Sequence, residues 1–135
     1  MKKLTMIILL TINVVLVNAQ PKFDKIGQFG EFTANWALVQ LNNKFGFIND
    51  KGEEVVKPIY DKIGQFGEYK AEWALVVVNK KIGFINNKGE EVVKPIYENV
   101  GQFGEHKEGW AAVILDGKQG FIDGDGKFII TGLKE

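Results

Sequence analysis

The chain has 135 residues, with 17 lysines balanced by 17 acidic residues, and it contains no arginine, serine or cysteine. Because it has neither net positive charge nor arginine, whose planar side chain grips phosphate through paired hydrogen bonds, we expect no nucleic-acid partner. Without cysteine and serine it has no disulfide, no thiolate metal ligand and neither of the usual nucleophiles for acyl transfer.

Residues 1–19 are predicted to form a cleaved secretory signal peptide. Lys2 and Lys3 precede an apolar run, and small residues stand one and three positions before a cut at Gln20. The run of about 14 residues is shorter than the ~20 that a membrane-spanning helix needs, which disfavours an uncleaved anchor. We therefore expect an exported protein, secreted or located in the periplasm or cell envelope, with no membrane span after signal removal.

The mature chain, residues 20–135, is predicted to be a single domain of three tandem repeats. Its three tryptophans are 37 residues apart, and its three prolines keep the same spacing. Self-similarity at a fixed period indicates a repeat array, in which stacked units bury apolar faces that none could bury alone. The repeats span residues 23–59, 60–96 and 97–133.

Each repeat opens with a predicted β-hairpin. In the first repeat, residues 37–41 alternate in polarity, and a second apolar run, residues 44–48, follows two asparagines. In the third repeat the same turn is Asp116-Gly117. Both positions of a two-residue type I′ turn need a positive φ, which asparagine, aspartate and glycine tolerate. The pattern therefore predicts a type I′ hairpin.

A second turn and a third strand follow the hairpin. Residues 49–52 are predicted to form a type I turn closed by a left-handed glycine. Residues 53–57 form a strand that Pro58 either ends or places at a sheet edge, because proline has no N–H to donate. Residues 60–67 lead to the next repeat as a fourth short strand or as an irregular crossover, which leaves three or four strands per repeat open. Residues 68–72 are compatible with a single helical turn.

These elements predict an all-β fold, an open and curved tandem array of three antiparallel β-meander units. The alternative is a small closed barrel or a propeller-like arrangement, although propellers usually need about four to eight blades. The third repeat departs from the others at residues 130–133, as a terminal cap would. An open array leaves an unpaired strand at each end, so we also consider an edge-to-edge homodimer.

Three segments of the repeat form a recognisable pattern: Glu-Gly-Trp-Ala-Ala-Val at residues 108–113, Gly-Lys-Gln-Gly-Phe-Ile-Asp at residues 117–123, and Pro-Ile-Tyr-Asp at residues 58–61. This pattern resembles the WG-repeat family of bacterial β-repeat proteins. The Trp-Gly pair that names the family is altered, since Phe45, Ile82 and Gln119 precede the glycine. The resemblance implies a β-repeat protein, often exported, without a general catalytic activity.

No catalytic residue, metal site or cofactor is predicted. The one histidine, His106, stands where the other repeats have an aromatic residue, which favours a flat ring on a half-exposed strand. One glutamate recurs in each repeat, as Glu31, Glu68 and Glu105, and Asp123 begins an Asp-Gly-Asp-Gly segment. We interpret both features as solvated turn residues, with calcium binding as the alternative.

The candidates for a ligand-binding role are Trp36, Trp73 and Trp110. Core packing is favoured, because large aromatic side chains dominate small cores. Alternatively, a row of exposed rings would stack on sugars or grip a partner protein. We therefore expect a non-enzymatic protein-interaction or structural module of the cell envelope or exterior, with a glycan- or cell-wall-binding module as the alternative. Its partner, a protein or a glycan, is not identified by the sequence.

Overall fold

The computed structural model describes residues 22–129, and this range consists of β-strands joined by turns and bends. The strands form three antiparallel sheets of four, and each sheet uses the strands of one repeat in chain order. The first sheet contains β1 (Lys25–Ile26), β2 (Trp36–Leu41), β3 (Lys44–Asn49) and β4 (Glu54–Tyr60). The second contains β5 (Lys62–Ile63), β6 (Trp73–Val78), β7 (Lys81–Asn86) and β8 (Glu91–Tyr97). The third contains β9 (Asn99–Val100), β10 (Ala111–Leu115), β11 (Lys118–Ile122) and β12 (Phe128–Ile129).

A type I′ turn joins the two long central strands of each sheet, as predicted. Asn42 and Asn43 have φ angles of 53° and 66°, and Asp116 and Gly117 have φ angles of 52° and 78°. Such turns twist in the same sense as the strands that they connect. The hairpins β2–β3 and β10–β11 accordingly pair along their whole length without a register shift.

A two-residue strand at the start of each repeat settles the strand number at four. β1, β5 and β9 each pair antiparallel with the strand that follows. The acidic residue before each short strand contacts the hairpin turn that follows in the same repeat. Asp24 accepts the N–H of Asn42 at 2.9 Å, and Asp61 accepts that of Asn79 at 2.8 Å. A side-chain contact thus anchors a strand that is too short to be held by its own ladder.

Pro58 lies inside an edge strand and does not end it. β4 continues to Tyr60, and its pairing with β3 shifts register around Gly46. A Cβ atom at Gly46 would lie 2.3 Å from the Val56 carbonyl oxygen and 2.7 Å from the Pro58 nitrogen. The two backbones therefore touch at this point, and only glycine fits between them. Gly83 makes the same close approach in the second repeat.

Residues 68–72 form bends and a turn, and not the helical turn considered from the sequence. The N–H of Trp73 donates to the carbonyl oxygen of Lys70 at 3.1 Å, and Glu72 has a φ of 68°. Because a left-handed residue interrupts right-handed helical geometry, the segment turns once and enters β6 directly.

The hydrophobic core lies between the sheets. One buried cluster joins the first and second repeats and includes Phe47 and Val76. Another joins the second and third repeats and includes Phe84 and Val113. These four side chains are at most 1% exposed, and no charged side chain is buried in the described part of the chain. Apolar burial, at about 25 cal/mol per Å², is therefore the main force that stacks the repeats.

The second turn of each later repeat packs on the repeat before it. Gly52, Gly89 and Gly126 close these turns with φ angles of 80°, 83° and 84°, which confirms the predicted left-handed glycine. A Cβ atom would lie 2.5 Å from the Val55 carbonyl oxygen at Gly89 and 2.7 Å from the Val92 carbonyl oxygen at Gly126. At Gly52, in the first repeat, it would meet nothing within 4 Å.

The predicted all-β repeat array is confirmed. The three sheets remain separate, so the described residues form neither the closed barrel nor the propeller-like alternative. The predicted signal peptide at residues 1–19 and the departures at residues 130–133 lie outside the described residues. Between residues 22 and 129, no helix is long and apolar enough to cross a membrane.

The substitution Gly89→Ala is expected to lower the free energy of unfolding more than Gly52→Ala. Both changes force a side chain into the left-handed region, at about 1–2 kcal/mol. Only at position 89 does the added methyl group meet the neighbouring repeat, and that overlap should cost a further ~1–3 kcal/mol. Urea unfolding of the two variants measures the difference. Equal losses would contradict the packing of this turn on β4.

Candidate functional site

Each tryptophan packs on a phenylalanine of the neighbouring strand. Trp36 lies 5.3 Å from the Phe47 ring and Trp73 lies 5.5 Å from the Phe84 ring, with interplanar angles of 43° and 41°. Trp110 packs on the phenylalanine of β11 in the same way, at 5.5 Å and 45°. We call this pair of rings the Trp socket of each repeat.

A phenylalanine from the following repeat fills the first two Trp sockets. Phe66 meets Trp36 edge-to-face at 5.9 Å and 79°, and Phe103 meets Trp73 at 5.6 Å and 90°. Edge-to-face pairs of this kind contribute about 0.5–1.5 kcal/mol beyond the area that they bury. The first two Trp sockets therefore serve as contacts between successive repeats.

The three tryptophans do not form the row of exposed rings that sugar stacking would use. Trp73 is only 8% exposed, and Trp36 and Trp110 are half-buried. Besides the phenylalanines, lysines cover part of the rings: the Nζ of Lys70 lies 4.7 Å from the centre of Trp73, and that of Lys107 lies 4.8 Å from the centre of Trp110. The structure thus places each candidate residue in a separate socket, and of the three rings only Trp73 is buried.

The edge strands carry an exposed apolar feature that was not predicted from the sequence. Ile59 on β4 and Ile96 on β8 are 51% and 44% exposed and occupy equivalent positions. Lys57 and Lys94 stand two residues earlier, on the same side of each strand, and are exposed as well. We call these four residues the outer strip. The Lys-Pro-Ile alternation was its signal in the sequence, because proline already marked the strand as an edge.

Acidic side chains at the repeat boundaries bind both a lysine and the backbone of a turn. Asp61 forms an ion pair with Lys44 of the preceding repeat, and Glu98 forms one with Lys81 at 2.8 Å. The lysine, followed by the N–H groups of the hairpin turn, holds the pKa of Asp61 and that of Glu98 below their ordinary values. Both carboxylates are accessible to solvent, and their contacts tie one repeat to the next.

Tyr60, at the end of β4, links the first two sheets through its hydroxyl group, which donates a 2.6 Å hydrogen bond to Glu91 on β8. Burial, followed by the bond to the Glu91 carboxylate, raises the pKa of Tyr60 far above its ordinary value. The hydroxyl therefore stays protonated and holds the two sheets together. In the third repeat Phe128 replaces the glutamate, and its ring stacks on Tyr97 at 6.2 Å.

Between residues 22 and 129, no group of three or more histidine, aspartate or glutamate side chains is placed to hold a metal ion. The recurrent glutamate of each repeat is exposed. Asp123 uses one carboxylate oxygen to accept the N–H groups of Asp125 and Lys127, each at 2.9 Å, which closes a turn. His106 lies in an exposed bend and not on the predicted strand, and its ring contacts Phe121 edge-on at 5.9 Å.

A comparison with known protein families shows the family to which the chain belongs. Residues 17–45, 45–81 and 82–118 match the profile of the WG containing repeat, and together they cover more than half of the chain. The chain belongs to the WG containing repeat family. No curated protein and no solved structure matches it.

In the first two repeats the residue before the glycine has a physical role, although it is not tryptophan. Phe45 and Ile82 are half-buried and pack against the core clusters between the sheets. The glycines that follow, Gly46 and Gly83, allow the close crossing of two strands. In these two repeats an apolar side chain beside a strand crossing thus fills the position that gives the family its name, whereas Gln119 in the third repeat is exposed.

Acid should weaken the fold through Asp61 and Glu98. Their pKa values are lowered from 3.8 and 4.5 in the folded state. Below those ordinary values the unfolded chain binds protons that the folded chain does not, so the stabilisation is complete above about pH 4.5 and is lost as the pH falls through the folded-state values. The urea midpoint of the wild-type chain should drop between pH 7 and pH 3. In Asp61→Asn it should drop less, and an equal drop would contradict this role.

Tryptophan emission should distinguish the filled socket from the open one. A chain that keeps only Trp73, made by Trp36→Phe and Trp110→Phe, is expected to emit at shorter wavelength and to resist iodide quenching, because the ring is buried. A chain that keeps only Trp110 should be quenched more strongly. Equal quenching of both chains would contradict the burial of Trp73.

Proposed function

We propose that this protein is a non-enzymatic, exported repeat module that binds another protein, or forms part of a structure, in the cell envelope or outside the cell. The observation that carries this proposal is the outer strip, in which Ile59 and Ile96 are 51% and 44% exposed at equivalent positions of successive repeats. Repeated exposed apolar residues on a rigid array are typical of an interaction surface.

The chemistry of the outer strip favours an extended protein segment as the partner. β4 and β8 are edge strands of their sheets, so each has a side that is not paired within its sheet. Extended segments bind such edges through their backbone, while side chains contribute selectivity. Lys57 and Lys94 are exposed beside the isoleucines, which favours a segment that carries both apolar and acidic side chains.

The absence of an enzymatic role is part of the proposal and rests on the residues that the strands present. In the described range the titratable groups with shifted pKa values are each explained by contacts within the fold, such as Asp61 with Lys44 and Tyr60 with Glu91. Asp61 and Glu98 occupy equivalent positions with equivalent partners, so their surroundings do not divide them into an acid and a base. Export rests on the predicted signal peptide.

The burial and separation of the three tryptophans weaken the glycan-binding alternative. Sugar stacking needs an accessible ring face, and Trp73 is 8% exposed. Trp36 and Trp110 remain half-buried in separate sockets. We therefore keep this alternative only as an outcome of the experiment.

The outer strip is tested by capture from envelope extract on immobilised chain. We expect a partner to be retained by wild-type protein and lost with the double substitution Ile59→Asp and Ile96→Asp, because buried unpaired charge opposes binding. Ile26→Asp is the matched control, since Ile26 is 57% exposed and lies outside the strip.

Co-sedimentation with peptidoglycan and with cell-wall polysaccharide is run on the same variants. Retention of a protein that the double substitution does not reduce would contradict the proposed surface. Binding to polysaccharide that depends on Trp36 or Trp110 would instead support the glycan-binding alternative.

A further inference from the structure

The junctions between repeats use one repeated fit. A loop of sequence Gly-Gln-Phe-Gly precedes the long strands of each repeat, and its phenylalanine enters the Trp socket of the repeat before it. Phe66 enters the socket of Trp36 and Phe103 enters that of Trp73, both edge-to-face. We call this phenylalanine the knob. The same fit is therefore realised twice within one chain.

The third repeat presents a Trp socket with the geometry of a filled one. Trp110 lies 5.5 Å from Phe121 at 45°, compared with 5.5 Å and 41° for Trp73 and its phenylalanine. Lys107 lies 4.8 Å from the centre of the Trp110 ring, as Lys70 lies 4.7 Å from that of Trp73. In the described part of the chain no knob lies against Trp110. The socket is formed before anything occupies it.

The first repeat presents a knob with no socket around it. Phe29 is 50% exposed, whereas its counterparts Phe66 and Phe103 are half-buried. Its loop is nevertheless held as in the other repeats. The N–H of Gly30 donates to the carbonyl oxygen of Trp36 at 3.0 Å, and its φ of 88° matches the 89° and 90° of the later loops.

Two other residues of the first repeat, like Phe29, are uncovered where their equivalents in later repeats are covered. Ile26 is 57% exposed, whereas the equivalent residues Ile63 and Val100 are 7% and 5% exposed. The turn glycine Gly52 has nothing within 4 Å, whereas the equivalent Gly89 lies against the preceding repeat. The surfaces that later repeats bury against a predecessor are thus partly exposed in the first.

We propose that copies of this chain associate head to tail, with Phe29 of one copy seated in the Trp110 socket of the next. The occupant is a second copy because the two surfaces already fit each other at both junctions inside the chain. The contact joins unlike surfaces, so each added copy leaves a free knob at one end and a free socket at the other. It is therefore distinct from an edge-to-edge homodimer, which would pair strands.

The surroundings of the Trp110 socket set the strength of the contact. Ala112 stands where the first repeat has Leu38, and Gln119 stands where it has Phe45. These smaller and more polar side chains offer less apolar area to an incoming copy than the internal junctions have. Association between copies is accordingly weaker than stacking within a chain and depends on protein concentration.

Sedimentation velocity over a wide concentration range tests the proposal. The chain is purified after export and its N-terminus is established by mass spectrometry, so that association through the apolar leader is not mistaken for this contact. The average mass of the wild-type protein should rise with concentration. Phe29→Ala should weaken association about tenfold or more at an unchanged melting temperature, because Phe29 is exposed. Gln65→Ala, at an exposed residue of the equivalent loop in the middle repeat, is the matched control and should associate as wild type does.

Mixing experiments then test the direction of the contact. A chain with Phe29→Ala keeps its socket, so adding it to wild-type protein should cap the growing assemblies and lower their average mass. Mixed with Trp110→Ala, which keeps its knob, it should give a 1:1 dimer and nothing larger. The proposal is overturned if the wild-type chain stays monomeric at millimolar concentration, if Phe29→Ala associates as wild type does, or if Phe29→Ala fails to cap.

Discussion

The packing of one sheet on the next is the constraint on which the rest of the structure depends. A four-stranded sheet of this size has apolar side chains on both faces and cannot bury both within itself. The array answers this with aromatic contacts, in which Trp73 packs on Phe84 of its own sheet and on Phe103 of the next. Because no charged side chain is buried among the described residues, these junctions stabilise the fold through apolar area and ring geometry.

The polar groups have a different task, which is to set how each repeat begins. Asp24, Asp61 and Glu98 each accept an N–H group from a hairpin turn, and the last two also bind a lysine of the preceding repeat. A two-residue strand has too few ladder hydrogen bonds to fix its own position, so the carboxylate positions it. The carboxylates therefore position the first short strand of each repeat at the solvent-exposed turns. The aromatic contacts hold neighbouring sheets against each other.

The parts of the fold that were predictable from the sequence are those decided by local chemistry. Asparagines at positions 42 and 43 and Gly52 specify their turns because few residues tolerate a positive φ. The orientation of Trp73 was not predictable in this way, because alternation along a strand distinguishes two faces but not which face the next repeat covers. The extension of β4 through Pro58 was left open for a related reason, since proline is compatible both with the end of a strand and with its edge. The exposure of the outer strip depends on the same tertiary arrangement.

In a tandem array built from one repeated junction, the end repeats present the same surfaces that interior repeats bury. Substitutions in the end repeats change how strongly those surfaces attract a partner. The third repeat keeps Trp110 and Lys107 in the arrangement of a filled socket. It has Ala112 and Gln119 at the positions of Leu38 and Phe45, which pack against the cluster between the first two sheets. A full cap would have removed the tryptophan as well, because an open aromatic ring adds little to a surface that nothing covers. Because the ring is retained, the contact keeps its direction. Because smaller or more polar side chains replace the large apolar ones, the contact is weaker. That combination suits an end surface that is covered reversibly, since specificity comes from the shape of the socket and affinity from the area around it.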